Sequence, residues 1–154
     1  CIGEVVHRSP QLLSGHYNDP EKTAEAFSGG WFHSGDLATI DDDGYITIVD
    51  RKKDMIKTGG ENVSSREVEE ALYTLSGIEE VAVIGLPDPK WIEAVTAIVV
   101  LRVGVTDLTE LDVIAHCEQR LAGYKTPKRV IFVDALPKNP SGKVLKRELR
   151  LRFG

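Results

Sequence analysis

Sulfur is scarce in this chain: 154 residues hold two cysteines, Cys1 and Cys117, and one methionine. Neither cysteine belongs to a C-x-x-C pair, so no disulfide framework and no cysteine-based zinc site is indicated. Such sparing use fits a reducing compartment, and the cytoplasm is the expected one. No apolar run approaches the ~20 residues of a membrane-spanning helix. Positive charge is not in excess either: 19 Lys and Arg stand against 24 Asp and Glu, a net charge of −5. A broad nucleic-acid footprint is thereby excluded. Internal repeats and low-complexity stretches are absent. The chain opens on "CIGEVV" rather than on Met and shows no signal peptide, so it reads as a piece of something longer.

What is present is a core-forming protein. Apolar residues make up 42% of the chain, with Val and Ile in short runs, as in an ordered domain. Residues 3–8 read as a strand. Residues 18–27 read as a short helix with Asp19 as N-cap and Pro20 at its first position. Residues 37–40 and 45–50 flank "DDDG" and suit a hairpin. Over 64–75, Ser64 and Glu67 suggest a capping box, Val68, Ala71, Leu72 and Leu75 form one face, and Gly77 follows. Strands are expected at 81–86, 94–102 and 129–133. A helix over 109–121 should turn Leu111, Ile114, Ala115 and Leu121 inward, and a last helix should start near Val144. Helices and strands mix without a regular βαβ repeat, so the expected class is α+β. The expected layout is a β-rich region over 1–50, a hinge at 51–54, and a small domain over 55–154 with a three-stranded sheet flanked by helices.

Three clusters concentrate chemistry. In "GWFHSGDL" (30–37), Asp36 follows Gly35, and one carboxylate can accept from two neighbouring hydroxyls, as on a ribose. A turn aspartate capping its own backbone explains the same letters. In "DRKKDMIKTGGEN" (50–62), Arg51 can reach a ribose or phosphate, and Lys53 and Asp54 can absorb a backbone rotation. Gly59 and Gly60 offer a backbone without side chains, past which a thin ligand can run. A polar connecting loop with glycines at positive φ accounts for it equally. In "PKNPSGKVLKREL" (137–149), Pro140, Ser141 and Gly142 force a turn that projects Lys143 ahead of a basic helix. This is no phosphate-binding P-loop, because Pro137 stands where that motif needs glycine. "DDDGYITIVD" fails as a calcium loop, with Thr39 at the first ligand position and the short Asp50 at the last.

In this order and spacing the three clusters resemble the C-terminal part of the adenylate-forming enzymes. That family comprises acyl-CoA synthetases, luciferases and peptide-synthetase adenylation domains. The likeness runs from "GEVVHRSPQLLSGHYNDPEKTAEAF" to "LPKNPSGKVLKREL", nearly the whole chain. It implies that Asp36 binds the ATP ribose hydroxyls and that Arg51 supports the same ribose. It puts Lys53 at the hinge about which the small domain rotates. It makes Lys143 the catalytic lysine, bridging carboxylate and phosphate during adenylation. Gly59 and Gly60 match the loop that lines the pantetheine tunnel after rotation.

"KTGGEN" resembles the CoA ligases rather than the luciferases or peptide-synthetase domains. "SGD" replaces the family's commoner "TGD", but Ser34 keeps a hydroxyl. Trp91, Tyr124, Lys125 and Lys128 are candidates for the CoA nucleotide, with aromatic faces for adenine and ammonium groups for phosphates; core packing competes for Trp91 and Tyr124. The implied function is an ATP-dependent ligase that activates a carboxylic, fatty or related, acid as its adenylate and passes it to CoA. ATP, CoA and Mg2+ would be required, the metal held mainly by the large N-terminal domain. No metal site is expected in this stretch. That large domain is also the expected macromolecular partner. The ATP phosphate loop and acyl pocket belong upstream in the family, so the isolated chain is expected to be inactive. An adenylating enzyme with another acceptor, or a non-catalytic nucleotide- or partner-binding module, are the alternatives.

Overall fold

The structure, a computed structural model, describes residues 2–154; Cys1 lies outside them. The chain divides into two compact units, Cys1–Lys53 and Asp54–Gly154.

The first unit is a three-stranded antiparallel sheet in the order β1-β2-β3, formed by Ile2–His7, Phe32–Ile40 and Ile46–Arg51. Helix α1, Pro20–Ala26, is capped as its sequence suggests, with Asp19 Oδ1 accepting the Lys22 N–H at 2.9 Å. The "DDDG" turn closes on Asp41, whose Oδ1 accepts the N–H groups of Asp43 and Tyr45 at 3.1 and 2.8 Å. One short polar side chain thus organises the hairpin, as Asx turns do. Strand β2 starts five residues earlier than expected, because Phe32 and His33 pair with His7 and Val6 of β1, and Ser34–Asp36 follow at an irregularity of that pairing.

The second unit is a mixed five-stranded sheet. The three strands expected from sequence are present as β6 (Ile78–Asp88), β7 (Ile92–Leu101) and β8 (Arg129–Phe132). Two short strands, β4 (Ile56–Thr58) and β5 (Glu61–Val63), extend the sheet beyond the expected three. The order is β5-β4-β7-β6, with β8 parallel to β7. The α+β class holds.

Both faces of this sheet are covered, so the middles of its central strands are apolar apart from the buried Thr96. Val81, Val83, Val95, Ala97 and Val99 face one cluster with Val68 and Leu72 of α2 (Ser65–Tyr73) and Val113 and Cys117 of α3 (Glu110–Glu118). Ala82, Ile84, Leu86 and Ile98 face another with Leu149 of α4 (Lys146–Phe153). The buried face of α3 matches the expected one in part: Ile114, and Leu121 beyond the helix end, pack against the core, while Leu111 and Ala115 do not. Val113 and Cys117 point inward, whereas Leu111 is 76% exposed. The Thr109–Asp112 capping box starts this helix and sets its rotation, and Val113 and Cys117 then fall one turn apart on the packed side. In α2, Ser64 Oγ accepts the Glu67 N–H at 3.2 Å, while the Glu67 carboxylate goes to Lys125.

Candidate functional site

In the first unit, sheet register builds the polar site. Asp36 of β2 lies directly opposite Arg51 of β3. A bulge just beyond shifts the pairing from Leu37–Asp50 to Ala38–Ile48. Arg51 Nε reaches Asp36 Oδ1 at 2.7 Å, with both side chains partly open to solvent. Ser34 steadies the approach: its hydroxyl donates to the Val5 carbonyl at 2.7 Å and accepts the Asp36 N–H at 3.0 Å. Gly35 sits between them at φ +73°, a left-handed conformation that favours glycine. The two residues assigned to one ribose are thus already paired side by side.

A cavity of about 580 Å3 opens beside this pair, lined by Glu4, His33, Ser34, Gly35, Arg51 and Lys52 among others. Glu4 joins two basic side chains in its wall. His33 Nδ1 at 3.0 Å and Lys52 Nζ at 2.9 Å both contact its Oε2. The hydrogen bond to His33, then that to Lys52, hold the Glu4 carboxyl below the usual carboxylate range. Sequence reasoning missed this triad, because its members come from β1, β2 and the turn after β3, and no local spacing links them. Lys53 is the last residue of the unit.

In the second unit, the glycine pair forms a hairpin turn. Thr58 of β4 pairs with Glu61 of β5, leaving Gly59 and Gly60 as the two-residue loop at φ +57° and +88°. Positive φ at both positions is what a type I′ turn requires. The two glycines differ in their surroundings. A Cβ on Gly59 would lie 3.2 Å from the Trp91 ring, whereas Gly60 has nothing within 4 Å of that position. Only Gly60 presents open backbone on its side-chain face.

Trp91 is half-buried, and its ring lies near two ammonium groups, Lys90 Nζ at 4.8 Å and Lys128 Nζ at 5.4 Å from the centroid. Lys128 also donates to the Gly123 carbonyl at 3.0 Å. Lys125 grips both oxygens of Glu67 at 2.6 and 2.8 Å and lies 5.7 Å from the Tyr124 ring. Trp91, Lys128 and the hairpin therefore form one cluster, while the Lys125 ammonium is engaged by a carboxylate.

Lys143 stands on an exposed turn. The sequence assigned this turn to Pro140, Ser141 and Gly142; the structure adds Asn139. Asn139 Oδ1 accepts from the Ser141 N–H, the Ser141 hydroxyl and the Lys143 N–H, at 3.1, 2.8 and 2.8 Å. The Asn139 N–H in turn donates to the Lys143 carbonyl at 2.9 Å. The backbone of Lys143 is clamped while its ammonium makes no hydrogen bond or ion pair among the described residues. Lys146, three residues on, is committed instead to Glu69 and to the Ser65 hydroxyl, each at 2.7 Å. Cys117 is buried, and burial pushes its thiol up to about 11, so it packs as a small apolar residue.

Among the described residues no three His, Cys, Asp or Glu side chains are grouped to hold a metal ion. No helix among them is long and apolar enough to cross a membrane.

The arrangement has close counterparts. Residues 67–143 match the family described as AMP-binding enzyme C-terminal domain. The chain is 50% identical over 151 residues to a long-chain-fatty-acid–CoA ligase of Mycobacterium tuberculosis, covering 98% of this chain and 30% of that protein. It is 51% identical over 152 residues to a feruloyl-CoA synthase of an Amycolatopsis species, covering 99% of this chain and 31% of that protein. Among solved structures, ATP-bound MatB of Rhodopseudomonas palustris superimposes with a TM-score of 0.90 at 41% identity, over 99% of this chain and 30% of MatB. The chain thus spans about a third of the length of the relatives it matches. It belongs to the AMP-binding enzymes and carries that family's C-terminal domain.

Proposed function

We propose that the protein carrying this chain is a cytoplasmic, ATP-dependent acyl-CoA synthetase that activates a fatty or related carboxylic acid. The observation that carries this reading is Lys143: its backbone is clamped by Asn139 and its ammonium is left unpaired on an exposed turn. A charge held this way costs little reorganisation when it meets an anion.

Asp36 and Arg51 hold the ribose of ATP. The carboxylate accepts from the sugar hydroxyls, and the guanidinium fixes the carboxylate's position. Lys143 then spans the substrate carboxylate and the α-phosphate. As the carboxylate oxygen attacks phosphorus and pyrophosphate leaves, negative charge gathers there, and the lysine offsets it. Lys53, at the end of the first unit, is the pivot that withdraws Lys143 after this step. Rotation brings the Gly60 backbone to the adenylate as one wall of the pantetheine channel. Trp91, Tyr124, Lys125 and Lys128 receive the CoA nucleotide, Lys125 exchanging Glu67 for a phosphate. The thiol sulfur attacks the acyl carbon, AMP departs, and the thioester is released. The Mg2+ that accompanies ATP has no ligand set among the described residues and would be held mainly by the large N-terminal domain.

The acid itself is open to a wide range. Relatives of nearly equal identity are named for a long-chain fatty acid and for ferulate. The test is Lys143→Ala in the full-length protein, with the half-reactions measured separately. Adenylate formation should fall by ~10²–10³, while premade acyl-adenylate plus CoA should still give thioester. Equal loss in both half-reactions overturns the assignment.

A further inference from the structure

One segment of the second unit is strained, and a carboxylate beside it has no role in the steps above. Ile92 adopts φ +71°. It is a β-branched residue in the left-handed region, an arrangement that persists only where the surroundings enforce it. Ile92 is 67% exposed, so its side chain gains little from packing in return. What the conformation secures is the meeting of β7 with β4. Thr58 pairs with Ile92, and the Trp91 carbonyl accepts the Gly59 N–H at 2.8 Å. That register pair is the sole one between β4 and β7 among the described residues.

The next residue supplies a further fastening. Glu93 Oε2 accepts the backbone N–H of Lys57 at 2.6 Å; Lys57 is in register with Asn62 of β5 but has no register partner on β7. The carboxylate has room because residue 85 is glycine. A Cβ there would lie 2.9 Å from Glu93 Cδ and 3.0 Å from each carboxylate oxygen. Gly85 does not sit at positive φ, so its small size rather than its flexibility matches this site. Gly85 pairs with Val95 and Glu93 lies two residues before Val95, so the two share one face of the sheet.

We propose that Glu93, seated against Gly85 and supported by the strained turn at Ile92, is a positioning residue for the Gly59–Gly60 hairpin. Its reach to the Lys57 amide fixes where the open Gly60 backbone stands. Through that backbone it sets access of the thiol co-substrate. The functional half of this inference rests on the channel role given to Gly60 above; the structural half does not.

The experiment uses Glu93→Ala, Glu93→Gln and Gly85→Ala in the full-length protein. It reads amide hydrogen exchange at Lys57 and the two half-reactions separately. Glu93→Ala should speed exchange at Lys57 roughly tenfold, the scale of one lost hydrogen bond. It should raise the apparent KM for CoA by a similar factor and leave the KM for ATP unchanged. Glu93→Gln keeps an oxygen acceptor and should restore both readouts. Gly85→Ala should reproduce the alanine phenotype by displacing the carboxylate. Wild-type exchange at Lys57 in Glu93→Ala overturns the inference, as does equal weakening toward ATP and CoA. Faster exchange with unchanged use of CoA leaves Glu93 as the anchor of the hairpin and overturns the channel role assigned to Gly60.

Discussion

Asp54–Gly154 buries both faces of its sheet, with Ile56, Leu72, Ile84 and Ile98 all at or below 1% exposure. In Cys1–Lys53 only Ala38 and Asp50 are buried among the described residues, while Ile40, Tyr45, Ile46 and Ile48 stay exposed. The second unit buries a core of its own; within the residues described the first is a sheet joined by its ladder and a few polar side chains, in a stretch that spans about a third of its relatives' length. The two also place function differently. In the first unit sheet register sets Asp36 against Arg51, the pair proposed above for the ribose. The second unit carries the groups proposed above for the reaction on turns: Gly60 on a hairpin and Lys143 on an Asx turn. A well-packed scaffold can carry exposed turns and still hold them in place.

This contrast is broken most directly by core truncation. Leu72→Ala should cost ~2–5 kcal/mol, the range for a fully buried leucine, since Leu72 is 0% exposed. Ile48→Ala, made in residues 1–154 alone, should stay within about 0.5 kcal/mol, since Ile48 is 44% exposed there. Denaturant unfolding checks both, and each unit carries its own reporter, Trp31 in the first and Trp91 in the second. The difference between the units is refuted if the two substitutions cost the same.

A smaller effect separates binding from folding in the first unit. Asp36→Ala removes the partner of Arg51, an exposed pair of the kind worth ~0–1 kcal/mol to stability. The same change should weaken ATP binding by roughly tenfold or more, since a charge-assisted hydrogen bond contributes ~1.5–3 kcal/mol. Melting temperature and the KM for ATP are the two measurements. A large loss of stability with unchanged ATP use would make Asp36 a structural residue.

The sequence was most legible where a feature is local. The Asp19 cap, the "DDDG" turn, the α2 face and the three long strands follow from caps, periodicity and turn letters, and the structure contains them. Three-residue strands such as β4 and β5 have no periodicity to read; they exist because a two-glycine turn and the neighbouring β7 hold them. Leu111 misled because an apolar letter at helical spacing does not fix a helix's rotation. The site divides the same way. The motif positions were visible, whereas the Asp36–Arg51 pairing needs a register, and Glu93 needs a partner 36 residues away.

The smallest effect tests whether the core of the second unit is complete up to its functional turn. Thr58 is 2% exposed, directly before Gly59, and its hydroxyl is buried without a hydrogen-bond partner among the described residues. A desolvated, unpaired hydroxyl costs ~1–3 kcal/mol, and only part of that is recovered when a methyl takes its place. Thr58→Val keeps the β-branched shape that suits a strand and removes the polar atom. The variant should gain about 1 kcal/mol in denaturant unfolding, with adenylation and thioester formation unchanged. A gain in stability with weaker use of CoA would mean that the hydroxyl serves the hairpin in the reaction. A loss of stability would mean that the hydroxyl is satisfied in solution, and that the packed interior of this unit ends one residue short of the turn.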